Sequence, residues 1–210
     1  IECPMICVNG AEVRSKSGEI LSSNPLSKEQ AIAAAQILRE QGIYFEVYTS
    51  KGTYTDNDDK GISAIIDIFA SANPEAPMEL LVQGAKERFA KGLVHVVESY
   101  EMLFNDEDQQ IYKFLAFSMN ETEQANGKKE LETIDGLALS SSGHMNIEIT
   151  SQQAQKGVAL EAFVAERGIE MSETMAMGDN ENDLSMFARV GRAVAMGNAS
   201  FEIQMECDVV

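Results

Sequence analysis

The sequence predicts an α/β fold, a Rossmann-like parallel sheet with flanking helices, that carries an inserted α+β unit. Three observations predict it. From residue 151 onward the pattern alternates strictly: helix over 156–167, strand over 174–177, helix over 181–190, strand over 193–196. Strands alternating with helices of this length form βαβ units and hence a parallel sheet. Between residues 24 and 145 the texture is mixed instead, with several strand patterns interspersed among helices. The third observation is local. The apolar run 174–177 stops at Gly178, and Asp179, Asn180, Asn182 and Asp183 crowd the turn that follows. Polar groups beyond the C-terminal end of a parallel strand stand where open α/β sheets bind ligands.

Taken in order, 5–8 is a short apolar run ended by Asn9-Gly10, and 11–14 with 20–21 predicts a small hairpin around Lys16-Ser17-Gly18. Ser27 with Gln30 makes a capping box heading a helix whose Ala31, Ala34, Ala35 and Leu38 repeat at helical spacing, with Gly42 as its stop. Residues 43–49 alternate aromatic and β-branched side chains and predict a strand. Residues 54–61 read as an acidic loop. Asp56, Asp58 and Gly61 match a calcium-loop pattern at three positions, but Lys60 and Asp67 break it, so a solvated loop is the better account. Helices follow over 62–70 and 78–90, the second led by Pro74 and Pro77. Strands are predicted over 93–98 and 111–119, a short helix over 128–134, and a strand pair over 137–140 and 144–150. His95 and His144 fall in strands without a nucleophile at motif spacing. Phe45, Tyr48, Phe114 and Phe117 suit sheet packing better than a stacking platform.

Composition narrows the function. A chain of 210 residues can bury a core and allows one or two domains. Its net charge of −18 argues against nucleic acid and anionic membrane as partners, because both need a basic footprint. No apolar run approaches the ~20 residues of a membrane span. Three cysteines do not make a disulfide framework, which points to a reducing cytoplasm. Cys3 and Cys7 read as small apolar residues, since no second pair or nearby histidine supports a zinc site.

Gly178-Asp179-Asn180-Glu181-Asn182-Asp183-Leu184-Ser185-Met186, followed by Val194-Ala195-Met196-Gly197-Asn198-Ala199, resembles the last motif of the haloacid dehalogenase superfamily. More narrowly it is similar to the Cof-like phosphatases with a large inserted cap. Lys156-Gly157 at a helix start and Val8-Asn9-Gly10-Ala11 near the beginning agree with that family. The resemblance implies a core built from 1–23 and 146–210, with 24–145 as the cap. The family's Asp-x-Asp-Gly-Thr segment, whose first aspartate is the nucleophile, is not in these residues. The expectation is therefore a fragment, inactive alone, of a phosphatase whose central strand lies elsewhere.

For the full-length parent the resemblance implies Mg²⁺-dependent hydrolysis of small phosphorylated metabolites, such as sugar phosphates or phosphorylated cofactors, through a phosphoaspartyl intermediate. Asp179 and Asp183, hard oxygen donors of the type that suits Mg²⁺, would hold the metal. Asn182 would donate its amide to a phosphate oxygen, and Lys156 would be the catalytic cation that offsets negative charge. Glu181 is assigned to solvent and Asn9 to a turn. A catalytically dead fragment, or a degenerate relative that binds phosphate or a partner, is the alternative. Neither substrate nor oligomeric state is legible.

Overall fold

The computed structural model of the chain describes residues 3–73, 75–143 and 145–210, so Pro74 and His144 lie outside the described residues. It opens with a three-stranded antiparallel sheet in the order β1 (Met5–Cys7), β2 (Glu12–Arg14), β3 (Ile20–Ser23). Ser27 and Gln30 form the capping box of α1 (Lys28–Glu40), which buries Ala31, Ala34, Ala35 and Leu38. Next come β4 (Tyr44–Thr49), β5 (Gly52–Thr55), α2 (Asp58–Ala72), α3 (Met78–Ala90), β6 (His95–Val96), α4 (Tyr100–Phe104), β7 (Ile111–Phe117), α5 (Glu121–Leu131), β8 (Leu137–Ser140) and β9 (Asn146–Ser151). The last part holds α6 (Lys156–Ala165), β10 (Met175–Gly178), α7 (Leu184–Phe187), β11 (Arg192–Ala195) and α8 (Phe201–Met205).

A six-stranded sheet in the order β6-β5-β4-β7-β9-β8 dominates the molecule. Only β5 and β6 run parallel in it; the other neighbours are antiparallel. Its strands extend to Ser151, because Asn146–Ser151 pairs with both β7 and β8. Period-2 alternation gives it two faces. Phe45, Val47, Phe114, Ala116, Ile147 and Ile149 are buried in one core cluster with Leu38, Tyr100 and Leu131. Burying each large apolar side chain contributes about 2 kcal/mol. Alternate residues Glu46, Lys113, Glu148 and Thr150 are buried too, although polar.

The C-terminal part is thinner. β10 and β11 pair in parallel, and Val209 continues beside Val194, also parallel. Ala176, Phe187, Ala193, Ala195 and Ile203 make a small core. Along its other edge β10 has no strand partner among the described residues, and Met175 and Met177 are 58% and 56% exposed.

Several segments depart from the sequence expectation. The stretch expected as an acidic loop is the end of β5 and the start of α2. Asn57 accepts from the Lys60 N–H, and Asp58 and Asp59 sit in the first turn, where carboxylates complement the helix dipole. The strand expected over 93–98 shrinks to two residues, and α4 follows it unannounced. The helix expected over 128–134 is α5, begun earlier by Asn120 accepting from the Thr122 and Glu123 N–H groups. The helix expected over 181–190 resolves into a 3₁₀ turn, Glu181–Asp183, and the four-residue α7.

Candidate functional site

β10 delivers the chain to a tight turn in which Asp183 folds back beneath its own loop. The backbone N–H groups of Asp179 and Asn180 donate to Asp183 Oδ2 at 3.0 and 3.2 Å. A Cβ at position 178 would stand 2.3 Å from that oxygen, so only glycine fits there. Asp183 is 4% exposed. Its other oxygen, Oδ1, receives Lys156 Nζ at 2.7 Å from the first residue of α6.

Lys156 Nζ also donates to Asn182 Oδ1 at 3.1 Å. The amide nitrogen of Asn182 donates to Glu148 Oε2 at 2.9 Å, and its backbone N–H to the Ser141 carbonyl at 3.3 Å. Only this orientation of the amide works: an ammonium can only donate and a carboxylate can only accept. Glu148 reaches over from β9 and is 3% exposed. Its Oε2 also accepts from Asn9 Nδ2 at 2.6 Å, and its Oε1 accepts from Lys113 Nζ at 3.0 Å and Ser142 Oγ at 3.1 Å. Burial pushes the Glu148 carboxyl up, but the Lys113 charge and the hydrogen bonds from Asn182 and Asn9 outweigh it and hold it below the ordinary carboxylate range.

Asp179 faces the other way. It is half-buried, and its Oδ2 accepts from Asn198 Nδ2 at 2.7 Å, from the turn after β11. It borders a cleft of about 700 Å³ lined by Gln124 and Lys128 of α5, Ser140 and Ser141, Asn146 and the 179–181 turn. Lys156 and Asn182 border a second cavity of about 340 Å³ with Asn9, Gln155 and Ser185. Ser140 and Glu181 line both cavities, so the turn stands as a partition between them. Lys128 and Glu181 face each other at 4.0 Å with side chains about half exposed, a pairing worth little.

A family model described as haloacid dehalogenase-like hydrolase matches residues 1–210. The chain belongs to the haloacid dehalogenase-like hydrolases. Within them it is of the Cof type. It is 33% identical over 208 residues to a phosphatase of Bacillus subtilis named YwpJ, covering 98% of this chain and 73% of the relative. It is 35% identical over 205 residues to the 5-amino-6-(5-phospho-D-ribitylamino)uracil phosphatase YwtE of the same organism, covering 97% and 71%. A solved haloacid dehalogenase-like hydrolase from B. subtilis superposes with a TM-score of 0.87 at 33% identity, covering all of this chain and 74% of that one.

In this hydrolase the four residues singled out from sequence gather around one turn. Lys156, Asn182 and Asp183 are in direct contact; Asp179 joins them through its backbone, its side chain aimed into the larger cleft. The sequence reading missed Glu148, Lys113 and Asn198. Asn198 lay within the quoted motif. Lys113 and Glu148 carried no such signal, because the sequence boundary put 24–145 in the cap and 146–210 in the core, whereas β7 and β9 pair in one sheet.

Proposed function

We propose that this hydrolase is a phosphatase of small phosphorylated metabolites, sugar phosphates or phosphorylated cofactors, that works with Mg²⁺. One observation carries the reading: a lysine, two aspartates and two asparagine amides gather around one turn at the C-terminal end of a parallel strand, with Asp179 and Asn198 on a roomy polar cleft and Lys156 and Asn182 on a smaller cavity behind it. The names of the two B. subtilis relatives support it.

The donor set fits Mg²⁺, which is usually held by one or two carboxylates with water and phosphate completing the shell. Asp179 has one oxygen on Asn198 and, among the described residues, no hydrogen bond on the other. Asp183 has both oxygens engaged, so its part is to fix the turn and, through bound water, the metal. When bound, Mg²⁺ supplies positive charge against the phosphate oxygens. Lys156 would neutralise the transferred group, and Asn182, with one amide hydrogen on Glu148, would offer the second to a phosphate oxygen. The six-stranded sheet unit would act as the cap that selects the leaving group.

The attacking carboxylate of a phosphoaspartyl mechanism is none of these. Using Asp183 would break its three contacts, and using Asp179 would take it from the metal. We place that nucleophile outside these 210 residues. The test is phosphate release from a panel of phosphorylated metabolites with Mg²⁺, by this chain and by a longer polypeptide that adds an upstream aspartate segment. The reading expects turnover from the longer polypeptide alone. Robust Mg²⁺-dependent turnover by the 210 residues would reassign the nucleophile. Phosphate binding without turnover by either would favour the second reading, a non-catalytic phosphate-binding relative, which the complete mutual pairing of Lys156 and Asp183 also suits.

A further inference from the structure

Among the described residues the most densely hydrogen-bonded buried charge lies outside the motif that defines the site. Glu148 sits in the middle of β9, 3% exposed, and accepts from side chains on five segments: Lys113 of β7, Ser140 of β8 at 3.5 Å, Ser142 of the β8–β9 loop, Asn9 of the N-terminal turn and Asn182 of the 179–183 turn. A sheet needs none of the last two. Lys113 alone, 9% exposed at its side chain, would neutralise the carboxylate. The N-terminal turn that brings Asn9 to Glu148 has an unusual backbone. Val8 and Asn9 have φ of +48° and +58°. Left-handed backbone is unfavourable in a β-branched residue and persists where surrounding contacts hold it.

We propose that Glu148 is a positioning residue, which fixes the Asn182 amide so that its carbonyl, not its nitrogen, faces the Lys156 ammonium. The contacts form one directional chain. Glu148 takes the Asn182 amide nitrogen at 2.9 Å; Asn182 Oδ1 then takes Lys156 Nζ at 3.1 Å; Lys156 is thereby steered onto Asp183 at 2.7 Å. Without the carboxylate the Asn182 nitrogen loses its acceptor and only the Lys156 ammonium is left to order the amide, while a flipped Asn182 would present a donor to a donor. The consequence for phosphate chemistry rests on the phosphatase reading above; the geometry does not.

Hydrogen exchange of two side-chain groups tests it in the intact chain, by ¹H–¹⁵N spectra that resolve the Asn182 NH₂ and the Lys156 NH₃⁺. Glu148→Gln is close in size and can keep its carbonyl on Lys113 while turning a donor toward Asn182. Exchange should accelerate at least ten-fold at both Asn182 and Lys156. Asn182→Leu leaves the Lys113–Glu148 pair untouched and guards against a misfolded first variant. It should accelerate Lys156 equally, and the double variant should add nothing, the mark of residues acting in series. A role confined to holding the sheet together would lower the melting temperature of Glu148→Gln and leave Lys156 exchange as in the wild type, which would overturn the proposal. Unchanged Lys156 exchange in Asn182→Leu would overturn it as well. Absence of phosphate binding or turnover in the wild type, with these exchange effects intact, would sink only the phosphatase reading.

Discussion

Lys156 Nζ stands 2.7 Å from Asp183 Oδ1, tying the start of α6 to the turn that follows β10 across 27 positions of sequence. Asp183 is nearly inaccessible while Lys156 keeps 29% of its side chain exposed. The aspartate is therefore an internal strut, and the lysine is the partner that keeps an open face.

Asp183→Ala should destabilise the fold by about 3 kcal/mol, because it strands Lys156 and two backbone N–H groups at once. Chemical denaturation measures it. A loss under about 0.5 kcal/mol would mean the strut carries no load.

Asp179→Ala should behave in the opposite way. Among the described residues its side chain makes a single hydrogen bond, accepted from Asn198. Stability should move by less than about 0.5 kcal/mol, while Mg²⁺-dependent phosphatase activity in an active, longer polypeptide disappears. Retained activity would remove Asp179 from the metal site.

Gly157→Ala should be severely destabilising even though alanine is the better helix former. A Cβ there would stand 1.8 Å from the Ser185 carbonyl oxygen, and the Gly157 N–H donates to Ser185 Oγ at 3.0 Å. Separating α6 from α7 should cost about 3 kcal/mol. A melting temperature unchanged from the wild type would show that these helices are free to part.

Acid should erase the contribution of Glu148. Its folded carboxyl is held below the ordinary range, against about 4.3 in an unfolded chain. Its stabilisation is therefore complete above that value and is lost as pH falls through the lowered folded value. Other carboxylates weaken in acid too, among them Glu101, which Arg39 holds at about 2 through hydrogen bonds. Comparing wild type with Glu148→Gln isolates the one group: the gap between their melting temperatures should narrow below about pH 4. A gap that widens on acidification would contradict the assignment of a charged Glu148.

How much of this was legible depended on whether the signal was local. Asp179 and Asp183 stand out because an apolar run ends in more carboxylates and amides than a cap requires. Ser27 and Gln30 announced α1 for the same reason, since both partners lie within one turn. The helix expected over 128–134 starts too late, because α5 already runs through Gly127. A Cβ there would sit 2.7 Å from Ile43 Cδ1, so the glycine serves packing inside a helix. Glu148, between Ile147 and Ile149, looks like any solvent-facing strand residue. Its partners lie 139, 35 and 34 positions away, at Asn9, Lys113 and Asn182, and no single segment shows that its face is covered.

We propose that phosphate and Mg²⁺ bind at the turn from Asp179 to Asp183, with Lys156. Titrating the ¹⁵N-labelled chain with orthophosphate in the presence of Mg²⁺, and again with EDTA, tests it without needing turnover. The account predicts that the Mg²⁺-dependent shifts concentrate on Asp179, Asn180, Asn182, Asp183, Lys156 and Asn198. Shifts absent from these residues, or equally large with EDTA, would contradict it.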